Sequence, residues 1–232
     1  MNRKKLISIF LGALLIISLI YSISINRNEE SISNTYYNLG TINEVTLYDV
    51  NKKTGEKILE ECGSILMDID NKMSNTIKSS DVSKINKNAG KAYTKVSKDT
   101  YYVIKKSIEF SNISNDTFDI SVGPLIDLWS IGTDNAKVPN KEEIENILPL
   151  VDYSKILLND ENLSVKLSEE NMKIDLGGIA KGYAADKIYD YLKSENIKSA
   201  IINLGGNILT LGSKNNDQPF SIGIQLCLEV IL

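Results

Sequence analysis

Apolar positions that alternate, or recur at helical spacing, divide the chain into short strands and amphipathic helices. In residues 44–50, Val45 and Leu47 alternate with Thr46 and Tyr48, which predicts a half-buried strand. Ile58, Cys62, Ile65, Leu66, Ile69 and Met73 then recur at helical intervals and predict one apolar helix face. Cys62 reads as a small buried hydrophobe in that stripe rather than a nucleophile. Residues 74–91 are polar and read as loop with short helical pieces. A helix follows over 98–111, with Tyr101, Ile104 and Ile108 on one side. Residues 119–129 carry a Gly123-Pro124 turn signal inside an apolar stretch, and Pro139 opens a helix that runs to Leu148. Residues 163–167 and 172–175 predict two strands around a polar turn. Residues 182–194 predict a helix with Ala184, Ile188, Tyr191 and Leu192 inward, and two more strands flank Gly205 and Gly206. The mixture predicts one α+β domain with mixed sheets and packed helices.

The N-terminus has a different pattern. Residues 6–26 are uncharged and would form a helix about 30 Å long, the thickness of a bilayer core. Arg3, Lys4 and Lys5 precede this run, so the expected topology keeps the N-terminus cytoplasmic and the body on the extracytoplasmic face of the cell membrane. A cleaved signal peptide is the alternative, although no small-x-small site follows. The expected organisation is a membrane anchor or signal segment over 1–26, in contact with membrane lipid, then a polar tether over 27–38. A folded body over 39–225 and an apolar tail over 226–232 complete it.

Composition removes several chemistries. The 232 residues include no histidine, so there is no Ser-His-Asp triad and no imidazole metal ligand. Cys62 and Cys227, the two cysteines, make no Cys-x-x-Cys motif and are not expected to pair. Arg3 and Arg27 are the only arginines, so phosphate recognition falls to lysine, backbone amides or a metal. The chain has 26 basic and 30 acidic side chains; with Arg3, Lys4 and Lys5 set aside, the remainder carries a charge of −7. A body of that sign argues against nucleic acid as a partner.

Residues 172–192 are the most informative segment: a strand ending at Asp175, a turn through Gly177 and Gly178, then Lys181 before a helix. Glycines admit a ligand close to the backbone, a helix N-terminus favours an anion, and Lys181 adds positive charge. Neither a Walker P-loop nor a Gly-x-Gly-x-x-Gly motif is present, and taken alone the arrangement is also ordinary architecture. Asn203-Leu-Gly-Gly-Asn207 could be a simple hairpin turn; two such glycine turns would let two loops line one cleft. Asp119 lies among apolar residues, where it serves either a local turn or a ligand donor. Trp129 reads as core rather than a stacking platform for a ligand.

Five segments in this order resemble the ApbE-type FAD:protein FMN transferases. They are NLGTINEVTLY up to Tyr48, MSNTIKSSDVSKIN from Met73, TFDISVGPLIDLW from Thr117, DLGGIAKGYAAD from Asp175 and NLGGNILTLGS from Asn203. The resemblance spans roughly residues 35–225 and implies a T-fold-like α+β flavin transferase. It implies Mg²⁺-dependent transfer of FMN from FAD to a Thr or Ser of a target protein, with release of AMP. The implied acceptor is a protein subunit of a membrane redox complex. By position, Leu39 falls where the family often has a methionine against the flavin, and Thr76 where many members stack a tyrosine. Thr117, Phe118 and Asp119 match a stretch bordering FAD, Asp175 and Lys181 match FAD-contacting positions, and Gly178 matches a residue whose carbonyl ligates the metal. No catalytic side chain is implied. Family members continue through a His-x-Ile-x-Asp-Pro-x-Thr-Gly stretch and an Ala-Asp-x-x-x-Thr segment that supplies side-chain metal ligands. Here the match stops near Gln225, so half a metal site and a C-terminally truncated domain are expected. The alternative function is then a catalytically inactive, membrane-tethered FAD-binding protein.

Overall fold

The computed structural model describes residues 31–214 and 218–224. The expected anchor over 1–26, the apolar tail over 226–232 and Cys227 lie outside the described residues. Two antiparallel sheets and six helices form the described body, as expected for α+β. The larger sheet has the order β1 (Ser31–Asn38), β2 (Thr41–Tyr48), β6 (Ala200–Leu204), β7 (Asn207–Leu211). The smaller sheet has the order β3 (Thr94–Lys95), β5 (Ser164–Leu167), β4 (Ile156–Asn159).

The inner face of the larger sheet follows strand periodicity. Val45 and Leu47 on β2, and Ala200, Ile202 and Leu204 on β6, are all fully buried. Each large aliphatic side chain removed from water in this way contributes about 2 kcal/mol. Helix α1 (Lys52–Met73) and helix α6 (Ala180–Ser194) cover this face. The α1 stripe of Ile58, Cys62, Leu66, Ile69 and Met73 is buried as its spacing predicts. Burial pushes the Cys62 thiol up to about 12, with the charge of Glu61 adding to the shift, so the group is an inert hydrophobe.

The polar tether expected over 27–38 is corrected: Ser31–Asn38 is a strand, paired along its length with β2. Its sequence looks polar because β1 is an edge strand that turns only Ile32 and Tyr36 onto α1. Two glycines on α1 make room for them. A Cβ on Gly55 would lie 2.6 Å from Ile32 Cγ2, and one on Gly63 would lie 2.8 Å from Tyr36 Cε1. The Tyr36 hydroxyl donates to Leu59 O, fixing the strand on the helix.

Two further expectations are corrected. Residues 172–175 do not form a hairpin with 163–167; β5 pairs with β4 and β3 instead. The 119–129 stretch is not only a turn, because Pro124 sits in the first turn of helix α4 (Gly123–Trp129). Proline suits that position, where its missing N–H would have no intrahelical partner. Trp129 closes this helix and is half-buried. The remaining helices are α2 (Asp81–Lys87), α3 (Lys98–Ile113) and α5 (Lys141–Ile147).

Candidate functional site

The site is built on the segment that leads into α6. Met172, Ile174 and Leu176 alternate inward and are buried. Their backbone finds its partners outside any regular sheet. Ile174 N–H donates to Asn86 Oδ1 (2.8 Å), Asn86 Nδ2 donates back to Ile174 O (3.0 Å), and Asp175 N–H donates to Ile120 O (2.8 Å). Past Leu176 the chain turns, with Gly177 N–H donating to Asp175 Oδ1 (2.7 Å) and Ala180 N–H to Leu176 O (2.8 Å). No side chain caps α6, so the Lys181 and Gly182 amides lack intrahelical partners at the positive end of the helix dipole. Lys181 lies in that first turn, where a cation is unfavourable on its own. Its Nζ donates to Gly177 O (2.9 Å), holding the ammonium over the glycine turn. An anion at this point would be met by the dipole, the amides and the lysine together.

Beside the turn lies an open cavity of about 1010 Å³, large enough for a dinucleotide. Gly177, Gly178 and Lys181 form one side, Tyr102, Lys106 and Phe110 of α3 another, and Asn207 to Leu209 of β7 a third. The glycine turn and the start of β7 therefore share one cleft, although Gly205 and Gly206 are not in its wall. A second hollow of about 220 Å³ lies nearby, lined by Asn75, Thr76, Asn86, Asp127 and Lys173 among others.

The sequence-predicted residues divide between these places. Phe118, Gly178 and Lys181 line the large cavity, and a Cβ on Gly178 would come within 3.2 Å of the Phe118 ring. Thr76 is exposed and lines the smaller hollow. Asp175 joins the two: Oδ1 is held by Gly177, and Oδ2 accepts from Asn75 Nδ2. Leu39 sits with Gly40 in the two-residue turn between β1 and β2, at φ 55°. A left-handed leucine costs about 1–2 kcal/mol, and buried Asn43 ties the turn by donating to Asn38 O and Thr41 O. Thr117 is exposed and donates to Ser114 O (2.8 Å).

Asp119 is committed to the protein itself. Its Oδ1 accepts from Ser121 N and Oγ (both 2.7 Å), and its Oδ2 from Tyr153 N (3.0 Å). Two of these bonds close a local turn and the third ties that turn to the start of the 153–155 segment.

Sequence reading missed the aromatic wall. Tyr102 of α3 and Tyr183 of α6 line the cavity with ring centroids 5.8 Å apart. Asp99, at the start of α3, accepts from the Tyr183 hydroxyl (2.6 Å) and from Lys72 Nζ (2.7 Å), with Lys187 Nζ at 3.6 Å. Burial and this carboxylate both push the Tyr183 phenol pKa up, so the group stays a neutral donor. The signal was faint, since Tyr183 lies in the quoted DLGGIAKGYAAD segment but its partners are on other helices.

No group of three Cys, Asp or Glu side chains that could hold a metal occurs among the described residues. Gly178 offers a carbonyl, and the nearby Asp175 carboxylate is already engaged by Gly177 and Asn75. A hard cation takes about six oxygens, so the described residues do not make a Mg²⁺ shell.

Comparison with known proteins gives consistent matches. The ApbE family model matches residues 39–229. The FAD:protein FMN transferase of Treponema pallidum is 31% identical over 187 residues, which is 77% of this chain and 51% of that protein. The FAD:protein FMN transferase of Klebsiella pneumoniae is 38% identical over 133 residues, 57% of this chain and 42% of that protein. Among solved structures, the ApbE protein of Thermotoga maritima is 32% identical with a TM-score of 0.78, covering 84% of this chain and 63% of that one. The flavin transferase ApbE of Vibrio cholerae is 25% identical with a TM-score of 0.76, covering 85% and 64%. The chain spans about half the length of the curated relatives it matches.

Proposed function

The chain belongs to the ApbE family, and from that premise we propose that it binds FAD in the large cavity and transfers FMN to a Thr or Ser of an acceptor protein. The observation that carries this reading is Lys181, held over the glycine turn at the uncapped start of α6 and facing a cavity of dinucleotide size. Lys181 and the first-turn amides would hold the pyrophosphate and offset its charge, in the absence of any arginine among the described residues.

In the reaction, the acceptor hydroxyl oxygen attacks the phosphorus that bears the FMN moiety. A new phosphoester bond forms, the pyrophosphate P–O bond breaks, AMP departs with the bridging oxygen, and the hydroxyl proton passes to solvent. Mg²⁺ is part of the reaction that the resemblance implies, and the described residues alone do not make a site that fits it. The acceptor in this reading is a subunit of a membrane redox complex. The body lies on the extracytoplasmic face, tethered by the uncharged run at 6–26. Among the described residues, no helix is long and apolar enough to cross a membrane.

One observation favours a second reading, an FAD-binding protein that does not transfer: among the described residues, no cluster of carboxylates stands beside Gly178 in the cavity wall. The two readings separate experimentally. FAD titrated into the full chain should bind, and Lys181→Ala should weaken binding at least about tenfold, as for loss of a charge-assisted contact. Unchanged affinity in that variant would remove Lys181 from the site. With FAD, Mg²⁺ and a threonine-bearing acceptor present, an FMN mass increment on the acceptor supports transfer, and binding without the increment supports the second reading.

A further inference from the structure

We infer that Asn86 is a positioning residue for the glycine turn, its side-chain amide standing in for a strand neighbour of Ile174. The inference rests on the FAD reading above and deepens it. Asn86 ends one of the five segments that carry the resemblance, and the FAD reading alone gives it no part.

Residues 172–176 alternate inward as a strand does, so successive backbone groups point to opposite sides. On one side they meet residues 120–122. Asp175 N–H donates to Ile120 O (2.8 Å), and Lys173 makes an isolated parallel bridge with Val122. On the other side, no strand among the described residues pairs with Ile174. Asn86 Oδ1 accepts the Ile174 N–H (2.8 Å), and Asn86 Nδ2 donates to the Ile174 C=O (3.0 Å). A primary amide offers an acceptor and a donor side by side, as a neighbouring backbone would; a carboxylate offers acceptors only.

The amide is itself held in place. Ser80 caps α2 and its hydroxyl donates to Ser74 O, while Ser83 Oγ donates to Asn75 O (3.1 Å). Asn75 Nδ2 in turn donates to Asp175 Oδ2. The short helix α2 therefore grips Ile174 directly and Asp175 through Asn75. From Asp175 the path continues through Gly177 N–H (2.7 Å), and Gly177 O receives Lys181 Nζ (2.9 Å). Asn86 lines the smaller hollow and not the large cavity, so it acts on FAD only through these residues.

The test titrates FAD into the full chain in detergent micelles at pH 7 and pH 4.5, and follows amide hydrogen exchange. Asn86→Asp keeps the shape but loses the donor, and should bind FAD about tenfold more weakly at pH 7. At pH 4.5 a protonated carboxyl regains one donor beside one acceptor, and the loss should shrink to within about threefold. Asn86→Leu has neither group and should stay at least about tenfold weaker at both pH values. Asp81, Lys84 and Lys87 on α2, and Asp127, Lys173 and Asp175 near the hollow, are present in the parent too, which is the reference at each pH. Exchange at Ile174 and Gly177 should quicken in Asn86→Leu, with α1 and α6 protected as in the parent.

Equal losses in the two variants at both pH values would overturn the role of the amide. Lost protection across α1 and α6 would make Asn86 a residue of the fold rather than of position, and would overturn it too. Parental affinity in Asn86→Leu, with Lys181→Ala still weakened, overturns the positioning role and leaves the FAD reading standing. A folded parent that binds no FAD overturns the FAD reading, and exchange at Ile174 and Gly177 then decides by itself whether Asn86 holds the turn.

Discussion

Residues 175–178 and 203–206 read almost alike, Asp-Leu-Gly-Gly and Asn-Leu-Gly-Gly, each closing a short apolar run. The structure uses their glycines for different physical reasons. Gly205 and Gly206 have φ of 60° and 91° and form the two-residue turn that joins β6 to β7 with Leu204 opposite Asn207. A hairpin turn of that length needs left-handed residues to match the twist of its strands. Gly177 and Gly178 have no such backbone; what they lack is room. A Cβ on Gly177 would lie 2.9 Å from Asp175 Oδ1, and one on Gly178 would lie 3.2 Å from Phe118. Gly205 and Gly206 let the chain reverse, whereas Gly177 and Gly178, the first pair along the chain, let a carboxylate, a phenyl ring and a cavity share one corner. The lesson is that a Gly-Gly signal predicts a strand-reversing hairpin only where glycine conformation, rather than glycine size, is required.

Substitution separates the two uses. Gly205→Ala should have the largest effect on stability, about 2 kcal/mol, because it adds left-handed strain to a Cβ 2.7 Å from Thr41. Gly206→Ala has open space around the Cβ and should cost about half as much, through backbone conformation alone. Denaturant midpoints read both, and equal losses would show that crowding at Thr41 is relieved freely.

The helix that follows the first pair is tested through Asp99. Burial acts to raise the Asp99 pKa, but hydrogen bonds from Lys72 and Tyr183 and the charges of Lys72 and Lys187 bring it below the ordinary carboxylate range. A depressed folded pKa stabilises above the unfolded value of about 3.9 and is lost as pH falls through the folded value. Asp99→Asn should therefore cost about 1–1.5 kcal/mol at pH 7, and the gap to the parent should close below about pH 4. A gap that stays constant from pH 7 to pH 3 would mean that charge at Asp99 is irrelevant.

The smallest stability effect is expected at the first pair. Gly178→Ala should cost no more than about 0.5 kcal/mol, since its backbone is ordinary and Phe118 needs to give only slightly. The same change should weaken FAD binding, because the added methyl pushes on a ring in the cavity wall. A large stability loss with intact binding would reverse the assignment of the two pairs.

The parts of the fold that were legible are those whose pattern reports burial directly. The α1 stripe, the alternation of β2 and the paired runs around Gly205 each name their inner face by local spacing. The 172–176 run shows why the rest was not. Met172, Ile174 and Leu176 alternate as a strand would, but which group bonds to the backbone is decided by residues far along the chain, here Asn86 and Ile120. Strand β1 was hidden for a related reason, since an edge strand needs only two inward side chains and their pockets are glycines on α1. At the site, Phe118, Gly178 and Lys181 were readable because local motifs carry them. Tyr102 and Tyr183 were not, because residues 81 apart in the chain meet only when folding brings their two helices together.

The sequence by itself determined the inventory: no histidine, two arginines, lysine and glycine-turn amides as phosphate handles, and the inward face of most elements. These follow from residue identity and local period, which need no partner. Tertiary structure alone decided which polar groups the protein consumes and which it leaves to a ligand. Asp119 is satisfied by Ser121 and Tyr153 and looks inward, while Lys181 stands over the glycine turn and faces the cavity. Hydrogen bonds make that division, and their partners, such as Asn75 for Asp175 a hundred residues away, are brought within reach only by folding.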